Sequence, residues 1–416
     1  MKFGISVFLF ALALVSVASS ADQNDERAFP RILRQQILAN GFIPAKGLYV
    51  DRDEALIDVG KVIFKSKKLS LNGNIACQTC HLSKFGSADG IPVAAAVGGT
   101  GEGAERLLSG AKLLARNTLP FWGRGGPGFN TFFWDGKVDF ADGRQISQFG
   151  SRPPSDDALV TAAHLPVVEV REMLDEDSFV RGHMQESVDG ATAIYQAIAD
   201  NLRRFEPKAS KALSAHLNKP VDDLTYTDYA RSLAAFIRSE FRIRETKLER
   251  FVTQSEPLSP EETRGGLIFY GRGRCVTCHY GPYFSDLKFH VVPFPELGFG
   301  KNGFGVDYGR FNVTFDPRDL YKFRTPPLFN VEKTAPYGHS GSVGTLQGAI
   351  IAHFDPLRLV NLSAMDPLAR HEFYKRLTLA SETATTVGYL ADDDIEDLVK
   401  FLGTLSFVGP SETDAP

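Results

Sequence analysis

The chain has 416 residues, 43% of them hydrophobic and 23% charged, with a formal net charge of −4. This is long for one domain, comfortable for two, and ordinary in composition for a globular protein. A balance so near neutrality, with no nucleic-acid motif, argues against nucleic acid or an anionic membrane surface as a partner.

The chain opens with Lys2, an apolar run from Phe3 to Val17, and the small residues Ala18-Ser19-Ser20-Ala21. This reads as a secretory signal over residues 1–21. The run falls short of the ~20 apolar residues a spanning helix needs, so no membrane anchor is expected. The mature protein is expected outside the cytoplasm, in a bacterium in the periplasm. Residues 22 to about 50, with Pro30 and Pro44, read as an extended lead-in. From Asp53, the residues Ala55-Leu56-Ile57, Val59 and Val62-Ile63-Phe64 recur at helical spacing. Ser70-Leu71-Asn72-Gly73-Asn74 then forms a turn.

The turn leads to Cys77-Gln78-Thr79-Cys80-His81. Two cysteines separated by two residues and followed by histidine are the attachment signature of a c-type haem. Each thiol adds to one vinyl group of the porphyrin, and the histidine ligates the iron. The pattern recurs as Cys275-Val276-Thr277-Cys278-His279, and these motifs contain all 4 cysteines. Disulfides or a four-cysteine zinc site would leave both histidines unexplained. Covalent haem also suits an exported chain.

Between His81 and Asp135 the chain is glycine-rich and aperiodic. Its GxG spacings lack the strand–turn–helix context of a phosphate cradle, and long irregular loops often line a site. Residues 155–203 read as helical, broken around Pro166. Lys219-Pro220 marks a boundary between an N-terminal haem domain, 22–220, and a C-terminal one, 221–416. One helix is expected from Tyr226 to about Phe251. Ser259-Pro260-Glu261-Glu262 starts another, which runs through Tyr270 toward the second motif. Helix, glycine-bearing turn and haem motif thus occur twice, a weak internal duplication. Residues 285–335 are loop-rich, helices follow at 345–353, 366–378 and 392–405, and the tail frays from Gly409. The expected fold is mainly α, with two cytochrome-c-like haem domains and long irregular loops.

His81 and His279 are the expected proximal ligands. His353 shares a helix face with Leu346 and Ile350 and points inward. A core histidine satisfied by a backbone carbonyl would read the same way.

The run Lys322-Phe323-Arg324-Thr325-Pro326-Pro327-Leu328-Phe329-Asn330-Val331-Glu332-Lys333-Thr334-Ala335-Pro336-Tyr337-Gly338-His339-Ser340-Gly341, then Thr345-Leu346, resembles the C-terminal signature of bacterial di-haem cytochrome c peroxidases. That family includes the methylamine dehydrogenase maturation enzyme. Arg116-Asn117-Thr118-Leu119-Pro120 and Phe133-Trp134-Asp135-Gly136-Lys137 extend the likeness over nearly the whole mature chain.

The resemblance implies a role for several residues. His353 falls where the family has a Met or Tyr ligand, which implies a bis-histidine second haem of lower potential than the methionine type. Met365 is the competitor. Many members carry a histidine after the first motif, but none lies between His81 and Trp134 here, which implies an open first haem; Met173 and His164 are the alternative caps. Glu172, in the segment Leu165–Met173, matches the family's acid/base, with Glu169 as the fallback. Gln145 lies near the family's glutamine, displaced by one. Trp134 matches the tryptophan between the haems, although beside Phe132 and Phe133 it also reads as a core aromatic. Asn117, Thr334 and Pro336 match a calcium site, the latter two at least partly through carbonyl oxygens.

The implied function is reduction of hydrogen peroxide by a small electron-donor protein, a cytochrome c or a cupredoxin. The first haem would react and the second would relay electrons. A second possibility is oxidation of a residue, such as tryptophan, on an exported protein substrate through a high-valent di-haem state. A third is a non-enzymatic di-haem electron carrier; Glu172 and the missing distal ligand speak against it.

Overall fold

The computed structural model describes residues 28–141, 143–175, 188–380 and 389–407. The expected signal segment, His183 and the tail from Gly409 lie outside the described residues. The fold is mainly helical. In chain order, α1 spans 28–39, α2 Glu54–Lys65, α3 Ala158–His164, α4 Val188–Phe205, α5 Pro207–Leu217 and α6 Tyr226–Glu240. They are followed by α7 Lys247–Gln254, α8 Pro260–Tyr270, α9 Leu346–Ala352, α10 Pro367–Leu379 and α11 Asp392–Gly403. Among the described residues no helix is long and apolar enough to cross a membrane.

Two helix crossings organise the core, and each begins one residue stretch before a haem motif. Asp53 caps α2 by accepting from Leu56 N at 3.1 Å, and Ile57, Ile63 and Phe64 face inward. α2 lies across α6, with Phe64 packed on Phe236 and Phe241 at 5.0 and 5.8 Å between ring centres. α8 starts with the expected capping box. Ser259 Oγ accepts from Glu262 N at 3.2 Å, and Glu262 Oε2 accepts from Ser259 N at 2.7 Å. It lies across α11, with Phe269 on Phe401 at 5.2 Å.

A glycine permits each crossing. A Cβ on Gly60 would stand 2.0 Å from Ser232 O, and one on Gly265 would stand 2.0 Å from Asp397 O. Because the obstacle is backbone, relief requires the helices to part. Gly60→Ala and Gly265→Ala are each expected to destabilise the fold by roughly 1–3 kcal/mol, the usual scale of overpacking. A lowered urea midpoint at unchanged slope is the readout.

Two expectations are corrected. The lead-in is not extended at 28–39. It forms α1, with Pro30 in the first turn, where a missing N–H costs nothing. Leu33 and Ile37, one turn apart, are fully buried. The helix expected from Tyr226 to Phe251 is two helices. Phe241 O accepts from Gly123 N at 2.7 Å, and Thr246 Oγ1 accepts from Glu249 N at 3.1 Å to start α7. A hairpin of β1 Val138–Ala141 and β2 Arg144–Ser147 stands between Lys137 and Ser155, where no element was expected. A two-residue ladder, β3 Phe289–His290 with β4 Phe323–Arg324, ties the later loops.

The elements do not follow the chain in simple halves. α6, which begins just after the expected boundary at 220, packs on α2, α3 and α4. α1 packs instead with the later helices. Arg34 Nη2 donates to Phe251 O at 2.9 Å, and Leu33 lies against Gly266 of α8.

Candidate functional site

At the first motif, Cys77–Cys80 forms a single helical turn. Thr79 Oγ1 accepts from Ala76 N at 3.0 Å, and His81 N donates to Cys77 O at 3.0 Å. Both thiols and the imidazole are thereby held on one short turn. His81 Nδ1 lies 2.9 Å from Ser87 O, and its ring stacks on Phe121 at 3.7 Å. Donating Nδ1–H to that carbonyl fixes the tautomer and leaves the Nε2 lone pair for a metal. Burial lowers the His81 pKa to about 3, so the ring is neutral, as ligation requires.

Glu172 shares this electrostatic neighbourhood, since its charge acts on both Cys77 and Cys80. It sits in a tight turn in which Glu169 O accepts from the backbone N of Glu172, Met173 and Leu174. Crowding by protein strips water from the carboxyl and raises its pKa to about 7, with Lys137 opposing, Glu169 adding and Lys301 opposing. Burial also opposes the ionised form of Glu169, but Lys137, with Nζ 3.3 Å from Glu169 Oε2, holds that carboxyl below its usual range. Two neighbouring carboxyls are thus separated in function: Glu169 stays ionised, and Glu172 exchanges a proton near neutrality.

At the second motif, His279 Nδ1 lies 2.9 Å from Phe284 O. His353 caps the end of α9 with Nδ1 2.7 Å from Ala349 O. Both imidazoles therefore present Nε2. Burial lowers the pKa of each, that of His279 to about 4 with His353 contributing. They line one apolar cavity with Cys275, Cys278, Phe294, Phe323 and Ile350. Their ring centres are 6.4 Å apart. Two metal–nitrogen bonds of about 2 Å, plus roughly 1.1 Å from each nitrogen to its ring centre, give about 6.2 Å for imidazoles on opposite faces of one metal. The donor set and the cavity fit a haem with two histidine ligands.

Trp134 lines the same cavity. Its Nε1 donates to Asn117 O at 2.9 Å, its ring meets Phe323 edge-on at 6.4 Å, and its carbonyl accepts from Arg324 N at 2.8 Å. The adjoining Asp135 is fully buried and pairs with Arg116 at 2.6 Å. Lys301 Nζ approaches Asp135 Oδ2 at 3.8 Å. A loop from the later half of the chain thus reaches the acid cluster of the first motif.

The remaining expected residues sort as follows. His164 has both ring nitrogens engaged, by Val160 O at 2.8 Å and Thr227 Oγ1 at 3.1 Å, so it is a structural histidine. Met173 is buried in the main core. Met365 is not among the residues lining the second cavity. Gln145, on β2, donates its amide to Ser155 O at 3.1 Å. Asn117 and Pro336 do meet, because Asn117 Nδ2 donates to Pro336 O at 2.7 Å, whereas Thr334 Oγ1 donates to Val331 O. Lys301 carries no local signal in the sequence, and the buried Arg124 and Arg324 stand there only as members of the glycine-rich loop and of the C-terminal signature run.

Residues 54–256 match the family described as di-haem cytochrome c peroxidase. The chain is similar to cytochrome-c peroxidase IdrP1 of a Pseudomonas species, at 25% identity over 86% of this chain and 83% of that protein. It is similar to the cytochrome c551 peroxidase of Pseudomonas aeruginosa, at 24% identity over 84% and 78%. It also resembles the methylamine utilization protein MauG of Methylorubrum extorquens, at 24% identity over 72% and 68%. Among solved structures, the fold resembles that of a MauG-like protein associated with microbial copper homeostasis. The TM-score is 0.62 at 21% identity, over 88% of this chain and 93% of that one.

Proposed function

The chain belongs to the di-haem cytochrome c peroxidase family and is an oxidoreductase, and from this we infer an exported enzyme that reduces hydrogen peroxide with electrons from a small redox protein. Haem attached at each motif would supply the redox-active iron. His81 is the ligand at the reactive site, and His279 with His353 are the ligands at the relay. Glu172, as carboxylate, accepts a proton from peroxide and returns it to the departing oxygen, which leaves as water. Lys137 holds Glu169 charged and limits how far the Glu172 pKa rises. Trp134 offers an indole on the route from the relay to the reactive site.

The contrast between the two imidazoles carries this reading. His279 faces a second imidazole at 6.4 Å, whereas the group beside the His81 motif is a carboxyl whose pKa is raised to about 7. The resting ferric protein is expected to give one high-spin and one low-spin electron paramagnetic resonance signal. Two low-spin signals would refute an open site at His81.

One observation favours a second reading, oxidation of a residue on a protein partner. The loop whose Lys301 approaches Asp135 at 3.8 Å carries Phe299 and Phe304 outward, 79% and 86% exposed. Exposed aromatics at the rim of a reactive site are what a protein substrate would dock on. Turnover that stays slow with small donors, but that Phe304→Ser abolishes with the partner, would select this reading.

Calcium at Asn117, Pro336 and the Thr334 carbonyl belongs to the same proposal. It requires the Asn117 amide to turn and present Oδ1 beside the Pro336 carbonyl. Calorimetric titration of chelator-treated protein is expected to show one calcium bound, and Asn117→Ala is expected to remove it. Absence of binding heat in the wild type would strike calcium from the cofactors.

A further inference from the structure

Arg124 and Arg324 are 6% and 1% exposed. Arg324 donates Nε to Phe133 O at 3.0 Å and Nη1 to Thr325 O at 3.3 Å. Arg124 donates Nε to Pro120 O at 3.2 Å. Among the described residues these partners are all uncharged carbonyls, and neither guanidinium makes an ion pair. Each instead lies over an aromatic ring, Arg124 over Phe121 at 4.6 Å and Arg324 over Phe129 at 5.6 Å. The nearby carboxylate of Asp139 is taken by Arg310 at 3.0 Å. A buried charge without a counter-charge is costly, and two like charges near one another are more so. Burial lowers the pKa of both arginines, that of Arg324 to about 10, and the charge of Arg324 lowers that of Arg124 further.

Their positions indicate which anions are missing. Arg324 lines the cavity of Cys275, Cys278, His279 and His353. Arg124 lies on the same Phe121 ring on which His81 stacks at 3.7 Å. Each is therefore beside one haem motif, and a haem brings two propionate carboxylates. A guanidinium matches a carboxylate with two parallel N–H donors. We propose that Arg124 and Arg324 form a paired anchor for haem propionates, Arg324 for the haem held by His279 and Arg124 for the haem held by His81. Arg324 adjoins Trp134, donating its backbone N–H to the Trp134 carbonyl at 2.8 Å, and its charge reaches Arg124. The propionate edges of both haems would then converge on the expected electron route.

This inference rests on the reading that both motifs carry haem. Haem content measured as the pyridine haemochrome tests that separately, because two haems per chain are expected whatever the arginines do. Spectrally resolved potentiometric titration of the holoprotein tests the anchor. A fixed positive charge at a propionate stabilises the reduced haem against the loss of that charge. Arg324→Gln is expected to shift the reduction equilibrium of the low-spin haem at least tenfold toward oxidised, about 59 mV for one electron. Arg124→Gln is expected to do the same to the high-spin haem. Shifts below twofold at both haems, or a shift confined to the other haem in each variant, overturn the proposal. If glutamine prevents folding, Arg→Lys keeps the charge but loses the two-pronged geometry. The propionate-bending Raman bands of the matching haem should then move, and unchanged bands overturn the proposal.

Discussion

Glu172→Gln is expected to slow the reaction with peroxide by at least ~100-fold, the lower end of what a positioned acid–base group contributes. Glutamine keeps the shape and hydrogen-bonding capacity of the side chain but can neither accept nor return a proton. Stopped-flow absorbance after mixing the resting enzyme with peroxide reads this step directly, and an unchanged rate removes Glu172 from the mechanism. The same experiment has a pH signature. The base is the carboxylate, and burial places its pKa at about 7. The wild-type rate is therefore full above that pH and lost as pH falls through it. Lys137 lowers that pKa, so Lys137→Met should move the midpoint upward while leaving the high-pH plateau within a few-fold. If Glu169→Gln proves as damaging as Glu172→Gln, the acid–base role belongs to Glu169, whose low pKa would put the midpoint in the acid range.

His353→Ala has the second large effect expected. On the proposed reading His279 and His353 would both ligate one haem iron, so removing one imidazole should convert the low-spin signal to high-spin and leave the other haem's signal in place. The first encounter with peroxide should survive, because Glu172 is untouched. Steady-state turnover with the donor protein should collapse, because the relay changes both potential and access. Survival of the low-spin signal would mean that another residue ligates. His353→Met should restore low spin with a higher potential, the direction in which a thioether shifts a haem.

The parts of the site carried by covalent logic were legible in the sequence. Cys77–His81 and Cys275–His279 declare themselves because thioether attachment and proximal ligation demand a fixed order of residues. His353 was expected on an inward face from helical spacing, and it lines the cavity of the second motif with its ring 6.4 Å from that of His279. What depended on distant partners was not legible. Lys301 has nothing beside it that announces a meeting with Asp135. The end of α6 at Glu240 is set by a hydrogen bond from Gly123 N to Phe241 O, which no local propensity encodes. Gln145 matched a family position by count alone; its amide N–H donates to Ser155 O, while its buried Oε1 has no partner among the described residues. The hairpin was legible and was passed over, for Asp142-Gly143 is a strong turn pair. α1 was hidden by Pro30 within it and Pro44 beyond it, although the spacing of Leu33 and Ile37 marked a buried stripe.

That first helix matters for how the protein is made. Leu33 of α1 meets Gly266 and Phe401 in one packed contact, so a segment synthesised before both haem motifs completes a core whose other parts emerge much later. α1 acts as a clasp that must wait for α11. A fragment begun at residue 221, where the sequence suggests a division, would lack Leu33 and Ile37 and leave a hydrophobic slot open around α8. Such a fragment should express as an aggregate. Co-producing a peptide covering 28–50 should rescue it, which would make this protein suited to assembly from two separately made pieces.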